Sequence, residues 1–369
     1  MKRMRASNFE LLRLLAMLMI IFHHFAVHGG FFFDTEFISI NRIWIQFITI
    51  GGKLGVNIFV LISGYFLVDE QKLRLKKIFK FWGQIVFYSV IIYLLFLVIN
   101  NQSISITRVI KSILPITVDY WWFASTYFVM YIASPFLNIL LRNMSKQIYK
   151  YYLLIMFILW SLLPSVTTMS YQSNELWWFV FLYSIAAYIK IYGIRDFGIK
   201  TYAISSILVI VLTWLSVVVI DILGTRFSVF ASYALHFYGM QNVAMLFSAL
   251  LIFLLFRSLQ IKNSMIINEI AGTTFGIYLI HDHPSIRNFF WGRVFVNSEY
   301  VNAPFLFLYT IFAVFTVFFV CAIVEHIRIH TVEKMWMRIL DICEPKIKGM
   351  LKRIRLTLVD ASMRKKNLC

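Results

Sequence analysis

The stretch that most constrains this chain is its first apolar run, Phe9 to His28, Phe-Glu-Leu-Leu-Arg-Leu-Leu-Ala-Met-Leu-Met-Ile-Ile-Phe-His-His-Phe-Ala-Val-His. It is long enough to cross a bilayer, which takes about 20 apolar residues. Yet it carries Glu10, Arg13, His23, His24 and His28. An Arg or Asp near the centre of a spanning helix costs at least about 2.5 to 3.5 kcal/mol, so ionisable groups there mark function by default.

Helical geometry orders these groups. Arg13 and His24 are eleven positions apart, which at about 100° per residue brings them within roughly 20° of one face. Glu10 and His28 fall within about 60° of that line, whereas His23 is expected about 100° from His24. At about 1.5 Å per residue, Arg13 and His24 stand roughly 16 Å apart along the axis. One face is thus expected to hold a fixed cation near one membrane surface and a possible general base deeper in. A long donor with an anionic head and a reactive tail suits that separation. The bland alternative is a snorkelling arginine and a helix-end histidine bonded to a neighbouring span.

Composition places the whole chain in the bilayer. Of 369 residues, 60 % are hydrophobic and 18 % aromatic, against about 45 to 50 % apolar in soluble domains. Mean hydropathy is +0.78. The fold class expected is all-α: a polytopic membrane protein of about ten spans. These lie near 9–28, 51–68, 80–99, 120–140, 151–165, 176–193, 202–222, 240–256, 266–283 and 303–327, and the connection 223–239 is expected to enter the membrane in part. The first helix lacks a small-residue cleavage site and is read as retained. Residues 1–328 form the expected transmembrane domain, and 329–369 a basic, mildly amphipathic cytoplasmic tail on the anionic inner leaflet.

The formal charge of +18 raises the question of nucleic acid. Its placement answers against that, because the basic residues sit in alternate connections, as the positive-inside rule requires. With the N-terminus inside, the outer connections hold only Arg42, Lys53, Arg108, Lys111, Arg226, Arg287 and Arg293 of the 35 Lys and Arg residues. Both termini are therefore expected to be cytoplasmic, and no nucleic-acid partner is expected. Cys321, Cys343 and Cys369 have no metal or disulfide spacing, so no metal is expected.

Other stretches could carry chemistry. Gly55-Val-Asn-Ile-Phe-Val-Leu-Ile-Ser-Gly-Tyr-Phe offers the hydroxyls of Ser63 and Tyr65 inside the membrane, or else only a small-residue packing seam. Lys72-Leu-Arg-Leu-Lys-Lys-Ile-Phe-Lys attracts phosphates, or is an ordinary inner loop. Asp119-Tyr-Trp-Trp-Phe reads as an interfacial aromatic belt, with sugar stacking as the functional alternative. His281, Asp282 and His283 close the ninth span at the outer boundary, either as a site or as a solvated helix end.

Taken in order, these stretches resemble the membrane-bound acyltransferase 3 family, whose members typically acylate cell-surface polysaccharides from acyl-CoA. Arg13, ten residues, then His24 is similar to the family's arginine-and-histidine signature. Gly55 to Phe66 resembles its GVDxFFxxSGYxL stretch, and Phe275 to His281 its late xGIYLIH helix. Tyr120-Trp-Trp-Phe with Tyr127, Tyr131 and Pro135 resembles WFLxxLxxxYxxxP. The resemblance covers all ten expected spans.

The resemblance implies that His24 is catalytic and that Arg13 supports donor or helix positioning. Arg13, Lys77, Lys80, Ser63 and Tyr65 are the implied contacts to acetyl-CoA, the acyl donor. Lys77 and Lys80 stand where the family often has Arg-x-x-Arg; lysine keeps the charge but not the bidentate phosphate geometry. Asn57 stands where an acid is common, and the proline often found after the basic pair is missing. Trp121, Trp122 and His281 are the expected acceptor side. Many members carry an extracellular hydrolase-like domain; none is seen in this stretch, so transfer is expected from the membrane part alone or with a separate partner. The expectation is an O-acetyltransferase of the bacterial cytoplasmic membrane, acting on a cell-surface polysaccharide or its lipid-linked precursor. A flippase for lipid-linked sugars and an inactive scaffold of the same fold are the rivals. The flippase lacks the paired broken spans of an inverted repeat.

Overall fold

The computed structural model describes residues 6–33, 37–70, 72–100, 104–167, 169, 171–345 and 349. Their regular structure is entirely helical. In chain order the helices are α1 (Ser7–His28), α2 (Ile40–Thr49), α3 (Gly51–Leu67), α4 (Leu75–Ile99), α5 (Ile106–Ile113), α6 (Trp122–Asn143), α7 (Lys146–Phe157) and α8 (Leu163–Val166). Then follow α9 (Glu175–Tyr192), α10 (Ile199–Arg226), α11 (Ser228–Ala231), α12 (Val243–Ser258), α13 (Met265–Ala271), α14 (Thr274–His281), α15 (Pro284–Phe289) and α16 (Leu306–Arg328).

The chain is an all-α polytopic membrane protein, with eight runs among the described residues long and apolar enough to cross a bilayer. Ten were expected, and two of those segments differ. Residues 176–193 form α9, whose Glu175, Lys190 and tyrosines lower its hydropathy. It packs inside the bundle, with Trp178, Phe179, Leu182 and Tyr183 fully buried. Residues 266–283 do not form one rod. Gly272 and Thr273 interrupt them, and the hydroxyls of Thr273 and Thr274 donate to the carbonyls of Ile270 (2.7 Å) and Ala271 (2.9 Å). Pro284, the first residue of α15, follows the end of α14. Irregular backbone within a membrane protein is tolerated where it is buried or lines a cavity, and this break does the latter.

The second span is longer than its apolar run suggests. Ser39 caps α2 by accepting from the Arg42 amide at 3.1 Å, and α2 and α3 run on as Ile40–Leu67. Gly51 and Gly52 continue the helix because their missing side chains admit α1. A Cβ on Gly51 would lie 2.4 Å from the Met19 carbonyl oxygen, and one on Gly55 would lie 2.7 Å from that of Ala16. Gly64 plays the same part toward α9, where a Cβ would lie 2.7 Å from Tyr183 Cα. The glycines are therefore a packing seam, and that seam sets which side chains of α1 and α3 face each other. Asn57, buried in α3, donates to the Met240 carbonyl at 3.0 Å and accepts from Trp178 Nε1 at 2.9 Å.

The expected boundary at 328/329 falls inside a continuous helix, Leu306–Pro345. Beyond Arg328 this helix packs on α4, with Trp336 Nε1 donating to the Phe79 carbonyl at 3.2 Å. The rest of the expected tail, Gly349 aside, lies outside the described residues.

The seam gives a test. Gly64→Ala should lower the melting temperature of the detergent-solubilised protein, since a clash with fixed backbone costs about 1–3 kcal/mol. Gly292→Ala, with open space around it, should leave it unchanged. Equal melting temperatures would show that close helix approach does not hold this bundle together.

Candidate active site

A cavity of about 430 Å³ runs between α1, α3, α4, α6 and the α13–α14 break. Its walls follow helical spacing. Glu10, Arg13, Met17, Ile20 and His24 come from α1, and Gly52, Val56, Phe59 and Ser63 from α3. Lys77, Lys80, Phe81 and Gln84 of α4 and Phe123, Tyr127 and Tyr131 of α6 complete it, with Gly272, Phe275 and Tyr278 at the break. Arg13 and His24 therefore open onto one space.

The cavity changes character along its length. One end is cationic, with Arg13, Lys77 and Lys80, each held by a carboxylate. Arg13 Nη1 lies 2.5 Å from Glu10 Oε1, Lys77 Nζ lies 2.9 Å from Glu70 Oε1, and Lys80 pairs with Glu333. The waist is apolar, made by Met17, Ile20, Val56, Phe59, Phe81, Phe123 and Phe275. The other end holds His23, His24, Lys53 and Trp122.

A buried network fastens the cationic end. Glu325 of α16 accepts from Gln84 at 2.9 Å, Tyr88 at 2.5 Å and Arg328 at 2.7 and 2.8 Å. Arg328 also donates to Glu333 at 2.7 Å, and Glu333 holds Lys80. Such a carboxylate is tolerated in the interior because every charge is paired and hydrogen-bonded. Gly276 makes room for it, since a Cβ there would lie 2.2 Å from the Glu325 carboxyl carbon.

At the far end the hydrogen bonds determine a tautomer. His281 Nδ1 lies 2.6 Å from the Ile277 carbonyl oxygen, and His281 Nε2 lies 2.9 Å from His24 Nδ1. A carbonyl only accepts, so His281 carries its proton on Nδ1 and offers Nε2 as an acceptor. His24 must then donate through Nδ1, which leaves Nε2 with a free lone pair. Asp282 Oδ1, 3.6 Å from His24 Nδ1, places a carboxyl group behind the ring. His24, His28 and Asp282 also bring ligand atoms within 4.8 Å of one another. The cation among them is Arg287, whose Nη1 lies 2.9 Å from His28 Nε2 and 3.5 Å from Asp282 Oδ1.

The sequence-derived residues divide accordingly. Arg13, His24, Lys77, Lys80, Ser63 and Trp122 line the cavity. Ser63 shares a 2.9 Å hydrogen bond with Tyr127. Tyr65 does not join them, because two residues turn a helix by about 200°. It stacks on Phe9 at 5.3 Å, with the Lys190 ammonium 4.6 Å from its ring centroid. Trp121, at the N-cap of α6, is buried against the rings of Tyr120 and His283 rather than facing the cavity. His281 stands behind His24.

His23, expected on another face, lines the same cavity, with its ring centroid 5.5 Å from that of His24. Its Nδ1 lies 2.7 Å from the Thr49 carbonyl oxygen. Sequence reasoning also missed Lys53, Gln84 and Glu325. The signal for Lys53 was present: the expected span 51–68 already contains it, although it was counted with the outer connections, and it lies in α3.

Among curated proteins and solved structures, nothing matches the chain. A family model does, over residues 7–325, and its description is an acyltransferase domain. That match contains every residue that lines the cavity. It favours group transfer over the flippase considered above. The chain belongs to the acyltransferase 3 family and is a multi-pass membrane acyltransferase.

Proposed function

We propose that the protein moves an acetyl group from acetyl-CoA to a hydroxyl of a cell-surface polysaccharide or its lipid-linked precursor, in a bacterial cytoplasmic membrane. One observation carries this reading: a single cavity joins a cationic end to a histidine with a free Nε2 lone pair, through an apolar waist. The phosphates of CoA match Arg13, Lys77 and Lys80, which face the cytoplasm in the orientation that the positive-inside rule favours. The pantetheine arm matches the waist, and the thioester would come to rest beside His24.

In the proposed reaction His24 Nε2 takes the proton of the acceptor hydroxyl. The oxygen attacks the thioester carbonyl carbon, and a C–O bond forms as the C–S bond breaks. The CoA thiolate leaves and takes the proton back from His24, giving the ester and free CoA. Imidazole suits this proton exchange because its ordinary pKa lies near the working pH. His281 touches no reacting atom in this scheme. It is a positioning residue that keeps the His24 proton on Nδ1. The apolar waist keeps water from the thioester, and the break at Gly272 leaves room for the arm.

Two outcomes follow. His24→Ala should reduce acetyl transfer in membranes by about 10²-fold or more, the usual contribution of a general base, at unchanged protein level. Retained transfer would remove His24 from the chemistry. For His281, Leu should lower kcat while the KM for acetyl-CoA stays constant, and Gln, which can donate and accept in one plane, should recover part of the loss. A change confined to KM would contradict the tautomer role. Loss of acetyl esters from surface polysaccharide on deletion of the gene, read by NMR, tests the acceptor class.

A further inference from the structure

Lys53 is the one cation of the cavity without a carboxylate partner among the described residues. Arg13, Lys77 and Lys80 are each held by a glutamate. Lys53 makes no ion pair within 4.0 Å and no hydrogen bond among those residues; its Nζ lies 4.7 Å from the ring centroid of Trp122. Glu175 and Asp282 are close enough to feel its charge, but neither reaches it, and Asp282 is engaged by Arg287 at 3.5 Å. An ammonium has three donors, and an aromatic face satisfies none of them as an anion would. Holding such a group in the wall of a membrane cavity is costly unless something pairs with it.

Position says what that partner is. Lys53 follows Gly52, where a Cβ would lie 2.3 Å from the His23 ring, so it sits at the histidine end. CoA phosphates are matched at the opposite end, across the apolar waist, and the acetyl thioester that reaches the histidines is uncharged. We infer that Lys53, backed by Trp122, is a subsite for an acidic substituent of the acceptor, a carboxylate or a phosphate carried close to the hydroxyl that is acylated. This inference rests on the transfer reading and deepens it by naming an anionic sugar as the acceptor class. The indole holds the ammonium at the wall, and the acid docks on its free donors.

The test uses the full-length protein in nanodiscs with saturating CoA at low salt. Binding of methyl β-glucuronide, glucose 1-phosphate and neutral methyl β-glucoside is compared by saturation-transfer NMR and calorimetry. At least one acidic sugar should bind tenfold or more tightly than the glucoside. Lys53→Met should erase that preference, and Lys53→Arg should retain it. Which acid is preferred tells a uronic acid from a sugar phosphate. The inference is overturned if no acidic sugar is preferred, or if the preference survives in Lys53→Met. It also fails if Lys53→Met and Lys53→Arg lose neutral and acidic sugars equally, or if the methionine variant weakens CoA instead. Sugar binding needs no turnover, whereas hydrolysis of acetyl-CoA and its loss in His24→Ala report on transfer. The two readings can therefore fail separately.

Discussion

Everything at the histidine end of the cavity depends on how closely α1 and α3 approach. Gly51, Gly52 and Gly55 let the backbone of α3 lie against α1, in a solvent that offers no hydrophobic drive to bring helices together. That contact puts Gly52 against the His23 ring and so brings Lys53 to the same end of the cavity as His24. A larger residue at these positions would not merely loosen the bundle. It would separate the helix that carries the imidazoles from the one that carries Lys53.

The polarity of the cavity follows the same economy. Charges at one end are paired one by one, so they cost little to keep. The middle has nothing to offer water. At the far end the protons are arranged by hydrogen bonds that start at a backbone carbonyl, Ile277, and pass through His281 to His24. A peptide carbonyl cannot change its role, so the direction of that chain is built into α14. Arg287 and Asp282 add a local charge balance behind it.

Much of this was legible in the residues. The face of α1 at positions 10, 13, 17, 20 and 24 is the face a 3.6-residue period defines, and it lines the cavity. His23 escaped that logic because a cavity wall is wider than a line. At the top of α1 the neighbouring helix is glycine, which lets two adjacent imidazoles share one space. Tyr65 failed for the opposite reason: within one motif, neighbours point to different sides of the helix. The break at Gly272 was invisible to hydropathy, which averages over a window and does not register two threonines taking up carbonyls. Glu325 went unnoticed because two of its partners, Gln84 and Tyr88, come from α4, far away in sequence, and only Arg328 lies on its own helix.

The length of the last helix has a practical meaning. The recognised domain stops at residue 325, yet Arg328 neutralises Glu325, and Glu333 neutralises Lys80, on the same unbroken rod. An expression boundary drawn at the domain edge would strip a buried acid of its guanidinium and leave a mouth lysine without its counter-ion. The working unit of this acyltransferase thus extends past its family signature by at least three further turns of helix, with Trp336 as the peg that seats them on α4.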